Sequence, residues 1–476
     1  MPDISPTPPA EPRRGGADLT KGPIGRTLLV FSLPILGTNI VQAMSGSINA
    51  IWVGNLLGER ALTATSNANL VLFILMAVVI GVGIAATILV GQSIGMRNPD
   101  QARRVVGTAA TFFVGAAVLL ALGGYSLTPT ILGWMGTPLD ARPLAEAYLE
   151  IIFVALPFIY FLTFLGMVLR GSGDSRTPFL FMILSAVLDA GLNPLLILGV
   201  GPFPALGVAG SATATLISQG VTICALLIWV YRKKYDLRLT GPTLAYLRPD
   251  WTLLWSLITK GTPMGLQMLV ISGSAIVLIS LVNSFGTATS AAFGVTGQLF
   301  AYLQMPAMAV GAACSSMAAQ NVGAKLWDRV DGTARAGIWL NVAMTGVLVV
   351  VLYLVDRAAL GLFLPRGSPS IEIAVRINLI VSWAFIPFGV MMVLFGVVRA
   401  TGAVVAPLII LFLSLVVIRL SFAEFLLESW GPDAIWWSLS LGFIVAMLLS
   451  LGYYRLGSWR NASMVAVSAT AATAHP

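Results

Sequence analysis

The sequence predicts an all-α polytopic membrane protein, with twelve transmembrane helices in two pseudo-symmetric six-helix lobes. Three observations carry that expectation. Of 476 residues, 57% are apolar and only 10% are charged, where a soluble chain averages roughly 25% charged. The apolar residues gather into twelve segments, and about 20 apolar residues suffice to cross ~30 Å of hydrocarbon. Short motifs also recur between the two halves at a nearly constant offset, the one that carries Pro34 onto Pro263.

The same composition excludes several classes. A disordered chain, a secreted disulfide scaffold and an ordinary soluble enzyme all need more polar or more cysteine-rich sequences. The only histidine is His475, and the two cysteines, Cys224 and Cys314, stand alone in apolar runs. No zinc cluster, CxxC pair or nucleophile–histidine set can be built from them. An enzyme is therefore not expected, nor is a cofactor or a resident metal.

The segments follow in order. The chain before Gly25 holds no apolar run, so no cleavable signal peptide is expected. Residues 1–22 read as a disordered tail. Apolar segments then begin near Gly25, Leu62, Gly107, Leu144, Arg176 and Leu206 and fill a first lobe over 23–231. A basic linker spans 232–250. Six more segments, from near Thr252, Ala291, Thr333, Glu372, Ala403 and Asp433, fill a second lobe over 251–456. Residues 457–476 read as a second disordered tail. In the linker, Asp250 is a candidate N-cap. The Trp251–Trp255 stretch after it reads equally well as a short interfacial helix or as an anchored linker.

Charge orients the segments. With both termini on one side, that side carries 21 of the 27 Lys and Arg residues, and the other carries 5. Arg419 lies inside segment 11. Positive charge favours the cytoplasm where connections are short, so both termini are expected there. The +8 net charge needs no nucleic-acid partner to explain it; the partner is the lipid bilayer.

The repeat is read from four matches. Segment 1 opens with SLPI at Pro34 and segment 7 with GTPM at Pro263. GQSIG at Gln92 corresponds to AQNVG at Gln320. Pro157-Phe158 corresponds to Pro387-Phe388, and Arg170 to Arg399. A unit of six spans is even, so both copies enter from one side and an axis along the membrane normal relates them. Two such lobes around a central cavity make a plan for alternating access. Each chain holds both lobes, so a monomer is expected.

Ionisable groups at membrane depth cost about 2.5–3.5 kcal/mol each on insertion scales and are functional candidates by default. Asp189 is the clear case, ~20 Å into segment 5 at 1.5 Å per residue. Asn193 follows one turn later, and Pro194 loosens the helix there. A carboxyl in that place can take up and release a proton. Segment 1 adds a polar stripe of Asn39, Gln42, Ser45 and Asn49, and segment 2 adds Asn67 and Asn69. Such groups either glue helices together or line a cavity. Arg419 is read as structural, with Glu424 a poorly spaced partner. Met305 and Met391, among other methionines and aromatics of the second lobe, suit large apolar cations if they line the cavity.

The motifs taken together (SLPI, INAIWVGNLLG, GQSIG, VLRGSGD, LNPLLILG and IRL) resemble those of the MATE family, multidrug and toxic compound extrusion, over about residues 20 to 455. That resemblance implies an antiporter of the bacterial cytoplasmic membrane that exports organic cations, often drugs, in exchange for H+ or Na+. Many members carry an acid near the end of helix 1, where this chain has Asn49. In helix 5 an Asn commonly precedes an acid by one turn; here Asp189 comes first and Asn193 second. The helix 7 and helix 10 acids of one sodium-coupled branch are absent, with Phe388 at the second position. These departures favour proton coupling through Asp189, or a sodium site built from Asp189 with the Asn side chains Asn193 and Asn49. The resemblance leaves one main rival, a lipid-carrier flippase of the wider superfamily, which would need a cavity lined by several basic residues.

Overall fold

A computed structural model of the chain describes residues 15–365 and 368–464. Most of the two tails expected to be disordered, including His475, lies outside the described residues. Twelve long helices follow one another. They are α1 (Ile24–Leu57), α2 (Glu59–Gly95), α3 (Pro99–Trp134), α4 (Arg142–Gly171), α5 (Arg176–Leu198) and α6 (Val208–Arg232). The second set is α7 (Trp251–Asn283), α8 (Thr287–Gly323), α9 (Trp327–Leu360), α10 (Pro369–Arg399), α11 (Val405–Trp430) and α12 (Asp433–Leu456). Among the described residues, 11 of these helices are long and apolar enough to cross a membrane. The exception, α8, is 37 residues long but rich in Ala, Gly, Ser and Thr. It packs on α1 and α2 of the first lobe as well as on α9 and α10, so small residues serve it better than bulky apolar ones.

Most helices begin within a few residues of the apolar run that predicts them. The start of α3 does not: it precedes its run by about two turns. The Asn98 side chain accepts from the Gln101 backbone N–H at 3.0 Å, and Pro99 opens the helix. This cap extends α3 beyond the apolar run, and the linker docks on the extension. A 3-10 turn at Gly241–Leu247 lies against α3, where the Tyr246 hydroxyl donates to Asp100 at 2.8 Å and Thr111 donates to the Leu247 carbonyl at 2.6 Å.

Asp250 is the N-cap the sequence suggests, its carboxylate accepting from Thr252 N at 2.9 Å and Leu253 N at 3.2 Å. The helix it starts is not a separate interfacial one. It runs unbroken as α7 to Asn283, with Trp251 and Trp255 exposed on its first turns. Two helices depart from regular α geometry. A 3-10 turn at Ser382–Ala384 interrupts α10, and a π-helical stretch at Phe412–Ile418 interrupts α11. Such stretches loosen the backbone ladder, and a neighbour engages it here: Ser274 of α7 donates to the Leu415 carbonyl at 2.5 Å.

Among the described residues, the close backbone contacts and hydrogen bonds between the lobes gather at one end. That end holds the Lys- and Arg-rich connections and is called the basic end below. Gly81 of α2 seats against the Gly261–Gly265 backbone of α7, and Gly91 seats against Ala319 of α8. Among the described residues, every hydrogen bond from the chain before Asp250 to the chain after it also lies at this end. Toward the far end, α2 exposes Leu70, Phe73 and Ile74, and α8 exposes Tyr302.

Candidate functional site

The candidate site lies in the first lobe between α1, α4, α5 and α6. Asp174 starts α5 by accepting from the backbone N–H of Arg176 and Thr177, both at 3.0 Å. The helix then carries Asp189 and Asn193 to one face, one turn apart. Thr215 of α6 donates to Asp189 Oδ1 at 2.9 Å, and the Asn193 amide donates to Asp189 Oδ2 at 3.4 Å. The same amide donates to the Asp189 carbonyl at 3.0 Å. Ser218, one turn beyond Thr215, donates instead to the Thr215 carbonyl at 3.0 Å.

Asn49 enters the group from α1. Ser211, one turn before Thr215, donates to Asn49 Oδ1 at 2.7 Å, and buried Tyr148 of α4 lies beside Asn49. The three residues proposed for ion coupling from sequence, Asp189, Asn193 and Asn49, thus stand along one face of α6. Asp189 is half-buried, whereas Asn193 has no exposed surface. Its Oδ1 has no hydrogen-bond partner among the described residues. A buried acceptor without a donor costs about 1–3 kcal/mol. The Asp189 carboxylate that the Asn193 amide nitrogen meets is likewise an acceptor only.

Sequence reasoning missed the α6 residues and Tyr148. The available signal was spacing: Ser211 and Thr215 stand four apart on one helix face.

The other proposed residues are distributed as follows. Gln42 is exposed and Asn39 half-buried on α1. Asn67 donates to Thr137 in the α3–α4 connection at 3.3 Å, which ties α2 to that turn. Met305 is 9% exposed and Met391 is fully buried, the latter within the core of the second lobe. Pro34 and Pro263 lie half-buried inside α1 and α7. Arg419 is buried directly after the π-helical stretch, against α12 where Gly442 leaves it room. No ion pair joins it to exposed Glu424, and its Nε has no partner among the described residues.

The MatE family model matches residues 34–195 and again 263–424. The chain belongs to the MatE family. The two matched stretches open on Pro34 and Pro263, the same pair of positions that opens the internal repeat. A probable multidrug resistance protein, YoeA of Bacillus subtilis, is 36% identical over 92% of this chain and 94% of its own length. An FAD transporter of Shewanella oneidensis is 30% identical over 71% of this chain and 73% of its own length. The crystal structure of a MATE protein in the straight conformation superposes with a TM-score of 0.86 at 21% identity, covering 94% of this chain and 98% of that one. The protein is an integral membrane member of a multidrug efflux transporter family with a twelve-helix, two-lobe fold, and it is not an enzyme.

Proposed function

We propose that this MatE protein is a secondary antiporter of the bacterial cytoplasmic membrane. It exports organic cations in exchange for protons, by alternating access between its two lobes. What supports the coupling assignment is the setting of Asp189, a half-buried carboxyl deep in α5 held by Thr215 and Asn193. Proton uptake by Asp189 would turn an acceptor-only group into a donor and change which of its neighbours it holds. The partnerless Asn193 Oδ1 makes a sodium ion bound by Asp189 and Asn193 the second reading. The flippase reading finds no support in a row of deep basic residues, since Arg419 lies among apolar neighbours.

The basic end is assigned to the cytoplasm and both termini with it, so the conformation described is closed to the cytoplasm and parted toward the outside. The substrate cavity is assigned to the space between the lobes, and Gln42 and Asn39 of α1, exposed and half-buried, are assigned to its lining. The working unit is a monomer. When one monovalent cation leaves as one proton enters, the charges cancel and only the pH difference drives export, about 1.4 kcal/mol and so a tenfold cation gradient for each pH unit.

The test is transport in proteoliposomes loaded with a fluorescent organic cation. A pH gradient imposed without sodium should drive its movement. Movement driven by a sodium gradient alone would select the second reading, and movement under neither would overturn the antiporter assignment.

A further inference from the structure

The closed end of the molecule carries one contact made twice. Gln92, in the last turn of α2, reaches across to the second lobe and donates from Nε2 to the Ala400 carbonyl at the end of α10, at 2.7 Å. Gln320, in the last turn of α8, reaches across to the first lobe and donates to the Gly171 carbonyl at the end of α4, at 3.0 Å. Gln92 corresponds to Gln320 in the internal repeat and Gly171 corresponds to Ala400, so the repeat maps one bond onto the other.

The backbone around the glutamines is reciprocal too. A Cβ on Gly95 would stand 2.0 Å from the Gln320 carbonyl oxygen, and one on Gly323 would stand 2.1 Å from that of Gln92. Only glycine permits α2 and α8 to cross this closely, and the crossing brings each glutamine within reach of the opposite lobe.

The chain before α1 breaks the symmetry. Ala17 N–H donates to the Gly173 carbonyl of the first lobe at 3.1 Å. Two residues on, Leu19 N–H donates to Gln320 Oε1 at 3.1 Å, and the Leu19 carbonyl accepts from Asn321 at 3.3 Å. The Leu19 side chain is wholly buried. Arg329 of α9 then holds the Gly22 carbonyl at 3.1 Å. This segment is a strap from one lobe to the other, and it leaves both ends of the Gln320 amide engaged.

We propose that Gln92 and Gln320 are a reciprocal pair of positioning residues that hold the two lobes shut at the basic end, and that the Leu19 strap strengthens the Gln320 half. To open this end, both amide bonds must break and Leu19 must leave its seat. A neutral hydrogen bond is worth about a two- to tenfold change in an equilibrium, so each bond sets the closed fraction by about that factor. Gln320 should count for more, because its loss also strands a buried backbone N–H. The inference rests on the function above only in that the lobes must part here during a cycle.

The experiment measures lobe separation directly, without substrate or ion gradient, so its outcome is independent of the antiport assignment. Spin labels go on Lys234→Cys, directly after α6 of the first lobe, and on Asp328→Cys in α9 of the second, with Cys224 and Cys314 replaced, in lipid nanodiscs. Pulsed dipolar spectroscopy then gives the populations of short and long distances. Gln92→Ala and Gln320→Ala should each raise the long-distance population about two- to tenfold, Gln320→Ala the more, and the double variant should raise it by about the product. Gln92→Asn and Gln320→Asn keep the amide but fall one methylene short, so they should behave like the alanine variants and carry the test if those fail to fold. An unchanged distribution in folded variants overturns the proposal. So does a double variant that moves it no further than one single variant.

Discussion

Thr215 Oγ1 and Asp189 Oδ1 are 2.9 Å apart, a hydrogen bond that joins α6 to α5 at a carboxyl inside the first lobe. Ser211, one turn away on α6, holds Asn49 of α1 in the same manner. The hydroxyl row of α6 thus connects the candidate coupling residues of two other helices. A change at Asp189 is felt first by α6.

Replacing Thr215 with valine keeps the shape of the side chain and removes that donor. Losing one hydrogen bond to a carboxylate costs about 1–2 kcal/mol, a factor of about 5–30. Cation export by Thr215→Val should fall by that factor, measured as initial rate in proteoliposomes under a fixed pH gradient. Thr215→Ser, which restores the donor, should recover most of the rate.

Two glycines in long helices should respond to alanine with opposite signs. At Gly323 the new Cβ would meet the Gln92 carbonyl oxygen at 2.1 Å, and overpacking of this kind costs about 1–3 kcal/mol. At Gly115 in α3 no atom lies within 4 Å, and alanine is the better helix former by about 1 kcal/mol. Thermal unfolding in detergent should therefore show a lower midpoint for Gly323→Ala and an equal or higher one for Gly115→Ala.

Alkaline pH should weaken the contact of the chain after α6 with the first lobe. The Tyr235 hydroxyl donates to Asp174 at 2.6 Å and pairs with Thr177 at 3.0 Å. Burial, with a smaller contribution from Asp174, pushes its pKa up to about 12 from the ordinary 10.0. The folded state thus favours the protonated phenol. Its stabilisation is complete below pH 10 and is lost as pH rises toward 12. The unfolding midpoint of the parent protein should fall more steeply across that interval than that of Tyr235→Phe.

Much of the fold was legible because the bilayer imposes it. Long apolar runs have no alternative to helix, and the repeat that starts at Pro34 and Pro263 is visible as paired motifs. Asp189 was legible for a related reason, since a lone acid at that depth is costly enough to stand out. The α6 hydroxyls were not. Most Ser and Thr in such helices bond their own backbone, as Thr213 does to Ala209 and Thr222 to Ser218, and residue type does not distinguish the one that reaches across. Gln92 and Gln320 marked the repeat without disclosing their partners. Each meets a backbone carbonyl on a distant helix, and no side chain in the sequence signals that.

The central claim is that Asp189 couples proton entry to cation export, and Asp189→Asn tests it most directly. The amide keeps the size and the contact with Thr215 but does not titrate. Parent and variant would be compared in proteoliposomes for export driven by a pH gradient and for equilibrium binding of the same fluorescent cation. The account predicts that the variant binds the cation and remains folded, while its gradient-driven export disappears. Export at the parental rate by Asp189→Asn, with the same dependence on the pH gradient, would contradict it.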